Sequence, residues 1–298
     1  MLSKFIRKHF FGGEWKISFR KNESKDFYRV SFSSLPHNNV YWFADPLLFK
    51  DGDANYLFVE AFNRNTCKGD IGFFTIKDEK ISDFELLISQ NYHMSYPLVF
   101  KYKNDYYMIP ETGENRTIDL YKASNFPRGW IKDKTLISGH DYCDSTILEY
   151  ENKLFLFSYS QTEGKYMNLV FELDMLTKTL KHIQTFYYNV NNGRGAGRMF
   201  IDEHNRIIRP AQDGEHGYGK STIFYQLTIS NGIFEEKIVD YIKNDSIVVD
   251  GKKGVDKMHT YSKTDDYEVI DYAYERFMWN KKISRLKRRI MKYKRHHK

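Results

Sequence analysis

The sequence predicts an all-β fold: a five-bladed β-propeller over residues 1–275, followed by a short basic amphipathic helix over 276–298. Three observations predict it. A short pattern recurs five times, each recurrence opens a hairpin, and each leaves room for two further strands. The copies span 44–49, 95–100, 143–148, 197–201 and 258–262. Anchored on Pro46, Pro97, Ser145, Arg198 and His259, they are spaced 51, 48, 53 and 61 residues apart. A period near 50 marks a propeller or another repeat array. The alternative, two stacked β-sandwiches, has no reason to repeat its inner strands evenly.

The first copy turns through Lys50-Asp51-Gly52-Asp53 and returns over 56–59; the second turns at 103–105 and returns over 106–109. The third turns at 151–153 and returns over 154–157, and the fourth turns at 202–205 and returns at 207–208. Short β-branched or aromatic runs around Gly, Asn and Asp turns are hairpins. Their nearly continuous apolar character requires burial on both faces. The runs 71–76, 118–121, 168–173 and 223–227 supply further strands, giving four per unit and five units.

Composition agrees. The 298 residues include 23 Tyr and 23 Phe but only 18 Gly and 6 Pro, which points to aromatic packing between blades. Length alone allows one or two domains, and a closed ring favours one. Two cysteines, Cys67 and Cys143, build neither a zinc cluster nor a disulfide framework. Residues 1–11 are basic without the apolar run of a signal peptide, and no stretch reaches the ~18 apolar residues of a membrane span. The expectation is a cytoplasmic protein with free thiols and unused sequons at Asn22, Asn115 and Asn244.

From Arg276 to Lys298 there are eleven Lys/Arg and no Asp/Glu, so removing these charges from the formal +7 leaves −4 for the rest. Trp279, Ile283, Leu286, Ile290 and Tyr293 fall at steps of 4, 3, 4 and 3, one stripe of a helix whose other faces are basic. Such a helix suits an anionic membrane surface. Packing of the stripe on the propeller and adventitious nucleic-acid binding are the rival readings. Nothing in the propeller carries a nucleic-acid pattern, so no nucleic-acid partner is expected.

In each hairpin the start of the first strand and the end of the second share one rim. Fourteen residues after the anchors stand Glu60, Glu111, Tyr159, Gln212 and Ala273; one before them stand Asp45, Tyr96, Asp144, Gly197 and Met258. The repeat therefore gathers Asp45, Glu60, Glu111 and Asp144 at one end of a central funnel, with Arg194, Arg198, Arg209, Gln212, Asp213 and His259 nearby. Acids facing one cavity repel, which raises some of their pKa values as acid–base chemistry needs. Paired carboxylates across a sugar are the usual machinery of glycosidic bonds. The competing reading makes Asp45 and Asp144 turn caps or ties between blades. Asp51-Gly52-Asp53 resembles a metal-binding Asp-x-Asp but fills a hairpin turn. The 193–198 segment resembles a phosphate loop, but a strand follows it where a helix is needed; Arg194 and Arg198 there suit an anionic group. No metal and no cofactor are expected.

Phe43-Ala44-Asp45-Pro46, the run 94–100, Tyr107-Met108-Ile109-Pro110-Glu111-Thr112, Arg209-Pro210-Ala211-Gln212-Asp213 and His259-Thr260-Tyr261-Ser262 resemble the N-terminal domain of the plant glucosamine inositolphosphorylceramide transferase family and its stand-alone bacterial relatives. The resemblance covers roughly residues 14–275. It implies a five-bladed propeller related to furanosidase-type glycoside hydrolases, with catalytic acids on the inner strands and Asp45 matching the first-blade aspartate. The plant protein's separate C-terminal glycosyltransferase domain has no counterpart in these 298 residues, so the transferase activity does not follow from the resemblance alone.

The reading is a carbohydrate-active protein, a glycosyltransferase of cell-surface polysaccharide or glycolipid biosynthesis. Asp45, Glu111 and Asp144 are the catalytic candidates. Glu60, Tyr96, Arg194, Arg198, Arg209, Gln212, Asp213 and His259 are the binding candidates. Its partners are a sugar donor, such as a nucleotide sugar, a glycan or glycolipid acceptor, and an anionic membrane surface met through 276–298 on the inner face. The alternatives are a furanosidase-like glycoside hydrolase and a non-catalytic glycan-binding module.

Overall fold

The computed structural model describes residues 11–22, 31–278 and 281–296. It is a five-bladed propeller. Blade I holds Tyr41–Asp51, Ala54–Asn63 and Lys68–Lys77, edged by Lys80–Ile81 and Glu85–Ile88. Blade II runs through Ser95–Tyr102, Asp105–Thr112, Thr117–Asn125 and Arg128–Ser138. Blade III runs through Tyr142–Tyr150, Lys153–Thr162, Lys165–Asp174 and Thr179–Tyr188. Blade IV is Phe200–Ile201, Ile207–Gln212, Ser221–Ser230 and Ile233–Lys243. The hairpin turns fall where the Gly, Asn and Asp clusters placed them.

Blade V closes the ring. Its inner strands are Tyr261–Lys263 and Tyr267–Tyr272, and its outer strands, Lys16–Lys21 and Ser33–Ser34, come from the N-terminal part of the chain. Lys16 pairs with Tyr272 and Lys21 with Tyr267 in an antiparallel register. Inside this sheet the buried Arg20 meets Glu268 at 2.6 Å and lies over the Phe32 ring. Nothing local in the sequence announces a pairing between segments 248 residues apart.

Each blade-to-blade interface is one apolar cluster. Phe49, Phe58, Phe73, Val99, Met108 and Tyr121 join blades I and II. Phe100, Ile109, Leu120, Leu154, Leu156 and Phe171 join II and III. Leu148, Phe155, Phe157, Leu227 and Phe234 join III and IV. Ile242, Tyr261, Ile270 and Phe224 join IV and V. Ile17, Phe19, Leu48, Leu57 and Val269 join V and I. Every interface mixes aliphatic side chains with aromatic ones, since one ring spans the gap between two twisted sheets, and each buried ring is worth about 1.5–3 kcal/mol.

Arg276–Phe277, which the sequence assigned to the tail, is a short strand paired with Phe11–Gly12. The helix itself is Lys281–His296. Trp279, the first residue of the expected stripe, and residues 1–10 lie outside the described residues. The described part of the stripe is largely exposed: Ile283, Leu286 and Ile290 are 70%, 57% and 46% exposed. Basic side chains touch the body instead. Lys287 Nζ donates to the Arg64 carbonyl at 3.3 Å, Arg288 lies 4.8 Å over the Phe62 ring, and Arg295 reaches the Thr66 carbonyl and Glu114. Among the described residues no helix is long and apolar enough to cross a membrane.

Candidate active site

Three inner strands share one local distortion. Asp45, Tyr96 and Asp144 have left-handed φ values of 48°, 46° and 46°, and the strand register shifts between Ala44 and Leu47, between Ile109 and Glu111, and between Cys143 and Thr146. A non-glycine residue there is strained and persists only where its surroundings over-determine it. The bulge turns each backbone N–H toward a carboxylate of the preceding blade. Asp45 N donates to Asp271 Oδ2 at 3.2 Å, Tyr96 N to Asp45 Oδ2 at 3.3 Å, and Asp144 N to Glu111 Oε2 at 3.3 Å. Gln212 Nε2 donates to Asp144 Oδ2 at 3.0 Å, and Tyr261 N to the Ala196 carbonyl at 2.7 Å. These bonds pass from blade to blade around the whole axis. The acids therefore tie neighbouring blades together as well as lining the funnel.

Below this ring the axis is blocked. Tyr96, on blade II, donates its hydroxyl to the Gly197 carbonyl at 2.9 Å and accepts from Gly197 N at 2.7 Å. Arg198, entering blade IV, reaches back to the Val99 carbonyl and lies 5.6 Å over the Phe49 ring. Blades II and IV are not neighbours, so both side chains cross the centre. Only glycine fits at 197: φ is +144°, and a Cβ would stand 1.7 Å from the Tyr261 carbonyl oxygen.

The acids titrate differently. Burial lifts Asp45 to about 6, partly offset by His259. Burial, reinforced by Asp45, holds Glu60 well above the carboxylate range; burial and then Asp144 do the same for Glu111. Burial opposes charge on Asp144 most strongly, but Arg194, the hydrogen bond with Glu111 and His259 together keep that carboxyl below its ordinary value. Arg194 Nε donates to Asp144 Oδ2 at 2.5 Å, and its Nη2 stands 3.3 Å from Glu111 Oε2. Burial opposes a charged His259 too, yet Asp271, 2.5 Å from Nδ1, joined by Asp45 and Asp144, raises the imidazole. Glu60 Oε1 is buried without a hydrogen-bond partner, and His93 Nε2 stands 3.6 Å from it. Burial pushes His93 down to about 4, so it is neutral near pH 7.

The structure thus brings together Asp45, Glu60, Glu111, Asp144, Tyr96, Arg194, Gln212 and His259. It leaves three predicted residues out. Arg198 sits under the ring, where burial lowers its guanidinium to about 10 and, among the described residues, no carboxylate pairs with it. Arg209 turns into its own blade, where Glu236 takes Nε at 2.5 Å and Nη2 at 3.0 Å; both side chains are almost wholly buried. Asp213 accepts from Ser221 and His216 and lines a separate cleft of about 580 Å³ with Lys220, Tyr241 and Lys243. The arginines depart because their reach, not their backbone position, decides where the charge goes. Asp51 and Asp53 lie at the opposite end of the Ala54–Asn63 strand from Glu60, in the hairpin turn.

Several residues of the site escaped the repeat. Asp271 stands two residues before Ala273, on the same strand face, so period-2 alternation from Ala273 points to it. It receives His259 N and Thr260 N, both at 2.9 Å. Trp15 stacks on His259 at 4.0 Å, and Tyr218 meets the same imidazole edge-on at 5.3 Å. No sequence signal places these two rings there. Asp45, His259 and Asp271 bring one ligand atom each to within 4.8 Å of one another, the set among the described residues that could hold a cation. The tight His259–Asp271 contact occupies atoms such a cation would need, so the geometry reads first as a hydrogen-bonded triad.

The sequence model of the family described as glucosamine inositolphosphorylceramide transferase 1, N-terminal, matches residues 28–261. Glucosamine inositolphosphorylceramide transferase 1 of Oryza sativa subsp. indica is 34% identical over 195 residues, covering 62% of this chain and 26% of its own length. The protein of that name from Arabidopsis thaliana is 31% identical over 198 residues, covering 63% and 25%. The chain spans about a quarter of these relatives. Among solved structures, an α-L-arabinofuranosidase from Podospora anserina superposes with a TM-score of 0.57 at 12% identity, over 88% of this chain and 97% of that one. A β-fructofuranosidase from Bombyx mori gives 0.58 at 14%, over 93% and 61%. At such identities the likeness is one of fold.

Proposed function

The chain belongs to the family of the N-terminal domain of glucosamine inositolphosphorylceramide transferase 1, and from that premise we propose that it transfers a glycosyl group from a sugar donor, such as a nucleotide sugar, to a glycan or glycolipid acceptor in cell-surface assembly. The observation that carries this reading is the split protonation of one funnel. Burial lifts Asp45 to about 6 and Glu111 well above its ordinary value, whereas Arg194 helps to hold Asp144 below its own. Carboxyls pushed apart in this way are the arrangement that acid–base chemistry at a glycosidic bond needs. In this reading Asp45 is the base, Glu111 the acid, and Asp144 the fixed charge that tunes them. Arg194 and Gln212 hold the donor's anionic or hydroxyl groups. His259, braced by Asp271 and covered by Trp15, orients Asp45. The eleven basic residues of 276–298 support work on an acceptor at an anionic membrane surface, on its inner face.

The test is a transfer assay with a panel of nucleotide sugars and a membrane glycolipid extract, run beside a thermal-shift screen and repeated with Asp45→Asn. Product formation by the wild type and its loss in the variant supports the reading. Release of free sugar from oligosaccharides without transfer makes the protein a hydrolase. A melting shift with no turnover of any substrate makes it a binding module. Either of the last two results overturns the proposal.

A further inference from the structure

We propose that the helix Lys281–His296 is a wedge that enters the interface of an anionic lipid bilayer by its apolar stripe and thereby turns the mouth of the acid funnel toward the lipid headgroups. This rests on the reading of the acceptor as lipid-borne. It adds which face binds, by what force, and how the site is then oriented.

An amphipathic helix on a protein surface ordinarily turns its apolar side inward. Here the order is reversed. Among the described residues Lys287, Arg288 and Arg295 touch the propeller, while Ile283, Leu286 and Ile290 stand 46–70% exposed. The helix is strapped on by its charges and offers its hydrophobic side chains outward.

The place of the straps decides the orientation. Arg64 and Thr66 follow the strand Ala54–Asn63 that carries Glu60, and Glu114 follows the strand Asp105–Thr112 that carries Glu111. The helix therefore lies on the rim at which the acids open. The same contacts lead inward: Arg295 meets Glu114 at 3.2 Å, Glu114 accepts from His93 N at 3.0 Å, and His93 Nε2 stands 3.6 Å from Glu60. A cleft of about 400 Å³ beside the helix is lined by Trp42, Phe62, Arg64, Lys287 and Arg288, with Glu14 as its one acid.

Charge selects the occupant. Arg289, Lys292 and Lys294 are exposed beside the stripe, and 276–298 contains no acid. A second copy of this helix would bring like charges together. Anionic headgroups would neutralise them while the acyl boundary covers the apolar residues.

The test is flotation of the full chain with vesicles of phosphatidylcholine and phosphatidylglycerol (7:3), in 0.1 M and 0.5 M NaCl. The wild type is expected to float in both, and Leu286→Asp/Ile290→Asp to lose at least tenfold in affinity with its melting temperature unchanged; Leu286→Phe should float like the wild type. Equal flotation of the double variant would make the attachment purely electrostatic and overturn the proposal. So would a wild type that fails to float, or one that light scattering shows to be a dimer dissolved by the same substitutions. Asp45→Asn should float like the wild type, so a failure of the funnel chemistry leaves this result standing, and the reverse.

Discussion

Arg194 Nε lies 2.5 Å from Asp144 Oδ2, and this contact separates two carboxylates that the backbone treats alike. Asp144 and Asp45 occupy the same left-handed bulge on blades III and I. The cation holds Asp144 ionised. Asp45 has His259 3.8 Å from its Oδ1 and a weaker pull from Arg194, and burial, with Asp144 and Asp271 behind it, wins there.

Replacing Arg194 by Gln should leave Asp144 buried without its cation. Breaking a buried pair costs about 3–5 kcal/mol, less here because the Arg194 side chain is 30% exposed, so about 2–3 kcal/mol is expected at pH 7. Asp144 has its pKa depressed in the native state, so its contribution is present above the unfolded value near 3.8 and disappears as pH falls through the native one. Urea melts of both proteins should therefore differ at pH 7 and converge below pH 4.

Asp45 has the opposite sign. Its carboxyl rises from 3.8 to about 6, so the unfolded chain releases this proton first, and native stability falls as pH climbs through that window. The Asp45→Asn protein should lack this slope and gain, relative to the wild type, up to about 3 kcal/mol between pH 3.5 and pH 7. If Asp45 is the base, kcat/KM of the wild type should rise through an ionisation near pH 6. A pH–rate profile without that limb would remove Asp45 from the chemistry.

Arg209, a binding candidate on sequence grounds, spends its guanidinium on Glu236. Arg209→Leu strands Glu236 in the interior of blade IV and should cost about 3–5 kcal/mol. The acid limb of the pH–rate profile should keep its midpoint in whatever fraction remains folded. A stable Arg209→Leu protein with a displaced midpoint would return this residue to the site.

Ring closure makes a fourth prediction. Without residues 1–22, blade V loses the strand that pairs with Tyr267–Tyr272 and the Phe19 that packs between blades V and I. The truncated chain should lose its near-ultraviolet circular dichroism and its cooperative melting. A sharp transition at the full-length temperature would mean that the N-terminal strand contributes nothing to the ring.

Blades I to III were legible because their information is local. Each hairpin declares its turn, and the offset of fourteen residues from the anchor finds Glu60 and Glu111 without any knowledge of the third dimension. The closing strand was not legible, since Ile17 and Phe19 look like any short apolar run until Val269 is beside them. Asp271 was missed by following one offset without its period-2 neighbour. Arg198 and Arg209 were misplaced because a guanidinium sits several bonds from its Cα. Trp15 came into the site only through the closure that brings the N-terminal strand alongside blade V.

The crossing of the axis by Tyr96 and Arg198 sets the traffic of the molecule. The propeller is a well, not a pipe, and whatever enters must leave by the opening through which it came. On the proposed function, a donor and an acceptor meeting at Asp45 would have to approach from the same end of the axis. Chemistry at the bottom of such a well would run as a queue, with the slowest exit setting the pace.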